Sequence, residues 1–137
     1  MTGIPYRTDE NPPYPALTIA LSYAGEERRC EGTIDTGASC TCVPQRMLDA
    51  VEAAAGNEIL IRGFDGKPQV ACTYYVRVEV LDVNWPGGVP NRFDELEVCA
   101  IQEPRDGSPA KVLIGRDLLR NWSLLLEGPR ETLHIQS

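Results

Sequence analysis

Histidine occurs once, as His134, and basic residues are the minority, 13 Lys and Arg against 20 Asp and Glu, for a net charge of -7. A surface of that sign repels phosphate backbones and anionic headgroups, which argues against nucleic acid or a membrane surface as partner. The charge is read as solubility. With no Ser or Cys motif near it, the lone histidine supplies no nucleophile–base pair, and His134 is read as structural. Long apolar runs are missing too: nothing approaches the ~20 residues of a membrane span. The start, Met1-Thr2-Gly3-Ile4-Pro5, offers neither a basic n-region nor an apolar h-region, so a cytoplasmic location is expected. Five cysteines, Cys30, Cys40, Cys42, Cys72 and Cys99, form an odd set at irregular spacing, which fits reduced thiols rather than a disulfide framework. Cys40-Thr41-Cys42 hints at a zinc-binding adaptor, but no second close cysteine pair completes it, and no metal is expected.

What is present suits short strands and many turns: 137 residues, 42% hydrophobic, with 11 prolines and 12 glycines as punctuation. That length makes one domain, too short for two lobes, so catalytic machinery must fit in one lobe or be shared between chains. Residues 1–15 carry Pro5, Pro12, Pro13 and Pro15 and are expected to be a tail, unable to form a helix or a central strand and ordered only by docking. From Ala16 the pattern alternates, with Leu17, Ile19, Leu21 and Tyr23 on one face of a strand. A turn at Ala24-Gly25-Glu26-Glu27 leads into a second strand at 28–34. A helix is expected from Pro44, with Met47, Leu48, Val51 and Ala55 on one face and Gly56 as its stop. Strands at 58–62 and 70–80 flank Gly63-Phe64-Asp65-Gly66-Lys67 as a hairpin in which Val70, Cys72, Tyr74, Val76, Val78 and Val80 share a face. Trp85, in an irregular loop over 82–95, is read as packing. Strands at 96–101, 111–115, 123–126 and 132–135 and a short helix at 116–122 complete an all-β domain over 16–137.

The stretch that carries chemistry is Thr33-Ile34-Asp35-Thr36-Gly37-Ala38-Ser39. A carboxylate at the mouth of a strand, followed by Thr and Gly, sits in a tight loop whose amides can point at its oxygens, because Gly37 brings no side-chain bulk. Far downstream lies Val112-Leu113-Ile114-Gly115-Arg116-Asp117-Leu118-Leu119, and between the two stands the glycine-rich hairpin. In this order and spacing the three pieces resemble the retropepsin family of aspartic proteases, the single-domain retroviral type and its cellular relatives, from about Ala16 to Ile135.

That resemblance implies a single-domain acid-protease barrel with one or two short helices and one lobe per chain. It implies an aspartic endopeptidase acting on an extended peptide or protein, without metal or organic cofactor. Asp35 would be the catalytic group, Thr36 the hydroxyl cross-brace between paired loops, Gly37 a backbone contact to substrate, and Ala38 and Ser39 the floor beside it. Gly63, Phe64, Asp65 and Gly66 would form a flap over the substrate. Ile114, Gly115 and Arg116 would pack behind the catalytic loop, Gly115 letting the 35–37 backbone approach. The chemistry needs two carboxylates that share a proton. The only rival motif, Asp106-Gly107-Ser108, has the wrong order and no apolar strand before it, so Asp35 must meet Asp35 of a second copy in a C2 homodimer. Two departures stand out. Ser39 occupies a position that is commonly acidic in the retroviral enzymes, which leaves Arg116 to find another partner such as a backbone carbonyl. Retroviral dimers interleave their terminal strands; residues 132–135 could serve, while the proline-rich start could not pair fully. The competing expectation is a catalytically weak or inactive module of the same fold that dimerises or binds peptides.

Overall fold

The computed structural model describes residues 3–62, 66–82, 91–103, 105–107 and 111–136. The alternating stretch becomes β2 (Ala16–Tyr23), which pairs antiparallel with β3 (Glu26–Ile34) after a short first strand, β1 (Gly3–Pro5). The β2–β3 turn is tighter than the sequence implies. Ala24 and Gly25 alone span it, with φ of 50° and 94°, the left-handed pair that matches the twist of a two-residue hairpin. Next come β4 (Cys42–Pro44) and the helix α1 (Gln45–Ala50). Pro44 precedes the helix instead of opening it, and the helix ends six residues before Gly56, because Glu52 takes a left-handed φ of 55°. Ala55 and Gly56 belong to β5 (Ala54–Arg62). Gly56 is needed there for space: a Cβ would lie 2.5 Å from the Thr73 hydroxyl, at a bulge between β5 and β6 (Pro68–Val80).

The remaining elements are β7 (Arg92–Ile101), β8 (Val112–Ile114), α2 (Arg116–Leu119), β9 (Ser123–Glu127) and β10 (Thr132–Gln136). Strands run in the order β2-β3-β8-β4-β7-β6, and β6 returns to pair with β2, closing a six-strand barrel with β5 attached outside on β6. The long β6 explains a departure from the single apolar face expected of it. Val76, Val78 and Val80 are buried in the barrel, whereas Val70 and Cys72, on the arm that projects with β5, are exposed. The barrel is filled by Leu17, Ile19, Leu21, Val43, Leu48, Ile114 and Leu118, all fully buried, and Trp122 packs edge-on to Phe93. Burying each such aliphatic side chain contributes roughly 1.5–3 kcal/mol. The described residues form a single-domain, mostly β barrel with two short α-helices and a 3-10 turn at Gly128–Arg130.

β10 lies between β1 and β9 in a second, three-stranded sheet. The prolines of the start restrict it to an edge, and it is an edge that β1 occupies, with Ile4 buried opposite Leu133. Beyond β1, Arg7 fixes the segment to the barrel. Its Nε donates to Glu31 Oε1 at 2.8 Å and its Nη2 to Asp82 Oδ2 and Thr18 Oγ1, each at 3.0 Å. Lys111 donates to Glu10 at 2.6 Å and lies over the Tyr14 ring. No helix among the described residues is long and apolar enough to cross a membrane.

Candidate active site

β8 separates β3 from β4, parallel to β3 and antiparallel to β4. The chain therefore leaves β3 at Ile34, loops over the end of β8, and descends on its other side. Asp35 is the first residue of that loop and is half-buried; its N–H donates to Ile114 O at 3.0 Å. The Gly37 N–H donates to Asp35 Oδ1 at 2.9 Å, and the Ala38 N–H to Asp35 O at 3.2 Å. A Cβ on Gly37 would stand 3.2 Å from that same Oδ1, so glycine keeps the approach open. From the opposite side Arg116 grips the loop twice. Its N–H donates to Ala38 O at 2.9 Å and its Nη1 to Thr36 O at 2.8 Å. This carbonyl stands in for the acidic partner that the serine at position 39 does not supply. Thr36, Gly37 and Ser39 are exposed.

The far end of the loop is held by a buried polar knot. Thr41 is fully buried; its N–H donates to Asp117 Oδ2 at 2.9 Å and its hydroxyl to Asp117 Oδ1 at 2.7 Å. The same hydroxyl accepts the Gly115 N–H at 3.2 Å, and Asp117 Oδ1 also accepts the N–H of Leu118. The neighbour that Gly115 makes room for differs from the 35–37 backbone expected. A Cβ there would lie 2.5 Å from the carbonyl carbon of Cys40 and 2.9 Å from the Thr41 nitrogen, so the close approach is by 40–41 and not 35–37. Thr41 and Asp117 escaped the sequence reading because no local pattern marks a contact across 76 residues.

The cysteines correct the expectation of reduced thiols. Cys40 and Cys99 are joined as a disulfide across 59 residues, while Cys30, Cys42 and Cys72 are free thiols. The sulfur of Cys42 lies within 4.8 Å of both bonded partners. A metal held by all three thiolates would require the bridge to be reduced. Burial pushes the Cys42 thiol above its ordinary value, and the charges of Asp117 and Asp35 add to this.

Of the expected flap, the arms β5 and β6 are described, as is Gly66 with φ of 71°, whereas Gly63, Phe64 and Asp65 lie outside the described residues, as does Trp85. The arms carry an apolar cross-strand pair, Leu60 opposite Val70, exposed to 72% and 65%.

No family model matches the chain, and no curated protein matches it in sequence. Among solved structures it is similar to the EIAV protease complexed with the inhibitor HBY-793, at 14% identity over 84% of this chain and 93% of that one, with a TM-score of 0.53. It is also similar to a retropepsin-like aspartic protease from Rickettsia conorii, at 13% identity over 99% and 94% of the two chains, again with a TM-score of 0.53. At such identities the likeness is one of fold.

Proposed function

We propose that this chain, which has the fold of the retropepsin-like aspartic proteases, is an aspartic endopeptidase whose catalytic water lies between Asp35 and Asp35 of a second copy. The observation that carries this reading is the 35–41 loop itself. One half-buried carboxylate is fixed by a backbone N–H and clamped by Ile114 and Arg116, with Thr36 and Gly37 exposed beside it. Two carboxylates about 3 Å apart cannot both ionise, so one takes the water's proton as base while the other donates to the scissile carbonyl as acid. A single lobe holds one such loop, and a two-fold axis through it brings the second.

In this assembly Thr36 braces the paired loops, Gly37 offers backbone to the substrate, and Ala38 and Ser39 form the floor. The substrate is an extended peptide held between loop and hairpin, with side chains entering alternate pockets. Leu60 and Val70 supply apolar contacts from the hairpin arms, completed by its tip at 63–66. Ile114, Gly115 and Arg116 are positioning residues, as are Thr41 and Asp117.

The test is Asp35→Asn against a diverse peptide library read by mass spectrometry, together with specific activity as a function of protein concentration. Cleavage should vanish in the variant while association persists, and activity per chain should fall on dilution below the dimer dissociation constant. Turnover retained by Asp35→Asn, or by a proven monomer, would refute the shared dyad. Binding of a statine-type mimic without cleavage would identify the non-hydrolytic peptide-binding module instead.

A further inference from the structure

The proposed hydrolysis makes no use of the three sulfur atoms at the end of the Asp35 loop. The Cys40–Cys99 bridge ties that loop, five residues past Asp35, to β7. The third sulfur, on Cys42, lies within 4.8 Å of both others. A bridge with a purely structural role needs no third thiol, whereas a thiol in reach of a disulfide can attack it and displace one partner. The strands favour one product. β4 and β7 run side by side with Cys42 and Cys99 as register partners. Neighbouring strands hold paired Cα atoms at about 4.8 Å, inside the ~4.4–6.8 Å that a disulfide spans. Cys40 and Cys42 are both partly exposed, so protons and external thiols can reach them.

We propose that Cys40, Cys42 and Cys99 form a thiol–disulfide exchange site that ties or frees the end of the Asp35 loop. Cys42 loses its proton to water, and its thiolate attacks Cys99 Sγ. The Cys42–Cys99 bond forms, the Cys40–Cys99 bond breaks, and Cys40 leaves as a thiolate that takes up a proton. No electrons are gained or lost. A dithiol reductant carries the site further: its two thiols become a disulfide, and the cysteines receive the two electrons and two protons. Once Cys40 is released, the covalent tie moves two residues along to Cys42, and residues 38–41 are held by Arg116 at Ala38, by Asp117 at Thr41 and by the Cys99 N–H at Thr41 O. Burial raises the Cys42 thiol above its ordinary value, which lowers the share of attacking thiolate and slows the exchange. The consequence for catalysis rests on the reading of Asp35 above; the exchange itself does not.

The experiment is thiol trapping. Purified protein is incubated anaerobically without added reductant, quenched with acid at intervals, tagged with N-ethylmaleimide and fragmented in the mass spectrometer. Beside Cys30 and Cys72, which are tagged throughout, the site's one tag should divide between Cys42 and Cys40 at every interval. In Cys42→Ser, Cys40 should stay untagged. A site tag found on Cys42 alone, with none on Cys40 at any interval, would overturn the proposal, as would one equivalent of retained zinc with no bridge at all. Peptide cleavage or inhibitor affinity should shift at least about threefold when wild type is reduced with dithiothreitol, by loss of the loop's tie. Exchange without any such shift would overturn the link to the loop. Absence of all peptidase activity beside a migrating tag would sink the reading of Asp35 and leave the exchange site standing.

Discussion

Asp35 and Asp117 are both acidic residues beside a turn, yet only one was legible. Asp-Thr-Gly is an ordinary turn triplet by itself, and its place at the mouth of an apolar strand, together with the downstream Leu-Ile-Gly-Arg-Asp run, is what marks a held carboxylate. Asp117 looks like an ordinary first-turn helix acid until the fold brings Thr41 onto it. Its removal is therefore informative: Asp117→Ala leaves the Thr41 N–H and hydroxyl without their acceptor in a buried site. A loss of about 2–4 kcal/mol is expected in urea unfolding, since two buried hydrogen bonds to a charged group go at once. A change under roughly 0.5 kcal/mol would mean that water replaces the carboxylate. The same logic separates the thiols. Burial pushes the Cys30 thiol up to about 11, and because the neutral form is favoured, its thiolate fraction at pH 7.5 falls roughly 100-fold below that of an ordinary cysteine. Iodoacetamide at that pH should label exposed Cys72 first and Cys30 last, and equal rates would contradict the burial. The disulfide was not legible at this scale, because cysteine spacing says nothing of which strands become neighbours.

Among the elements, strands were legible where one face is buried throughout, as in β2, and misread where burial changes along the strand. β6 carries an unbroken alternation, but its buried face changes side between Thr73 and Val76, so Val70 and Cys72 face out while Ala71 and Thr73 are buried. The end of α1 was misplaced for a related reason. Glycine marks both helix stops and close approaches, and at Gly56 the approach of Thr73 is what requires it. The exposed arm makes a prediction of its own. Replacing Leu60 and Val70 together by threonine keeps strand propensity and removes apolar surface that no described residue covers. Stability should change by less than about 1 kcal/mol, as for surface substitutions generally. If the arms contact substrate, KM for cleaved peptides should rise several-fold with kcat nearly unchanged, the mark of binding lost equally in ground and transition states. An unaltered KM would remove these two residues from the substrate surface.

For the whole molecule, length was the most informative single quantity, since 137 residues make one acid-protease lobe, and under the proposed function the second carboxylate then comes from another copy. The prolines limited what the start can do, and the structure uses what remains. An edge strand needs hydrogen bonds on one side only, so β1 pairs with β10 while Ile4 enters the core and Arg7 reaches Glu31 and Asp82. With β9 on its other side, β10 has neighbours at both edges within its own chain, so interleaving residues 132–135 with a partner would first require one of them to leave. Deleting residues 1–15 tests this arrangement. It removes a buried isoleucine, worth about 2–5 kcal/mol by itself, and leaves Asp82 without its arginine. It also bares the edge of β10, a template for pairing with other chains. The truncated protein should unfold at lower urea and show added high-mass species in sedimentation. Unchanged stability and mass would make the start a dispensable tail, and β10 would then be open to strand exchange after all.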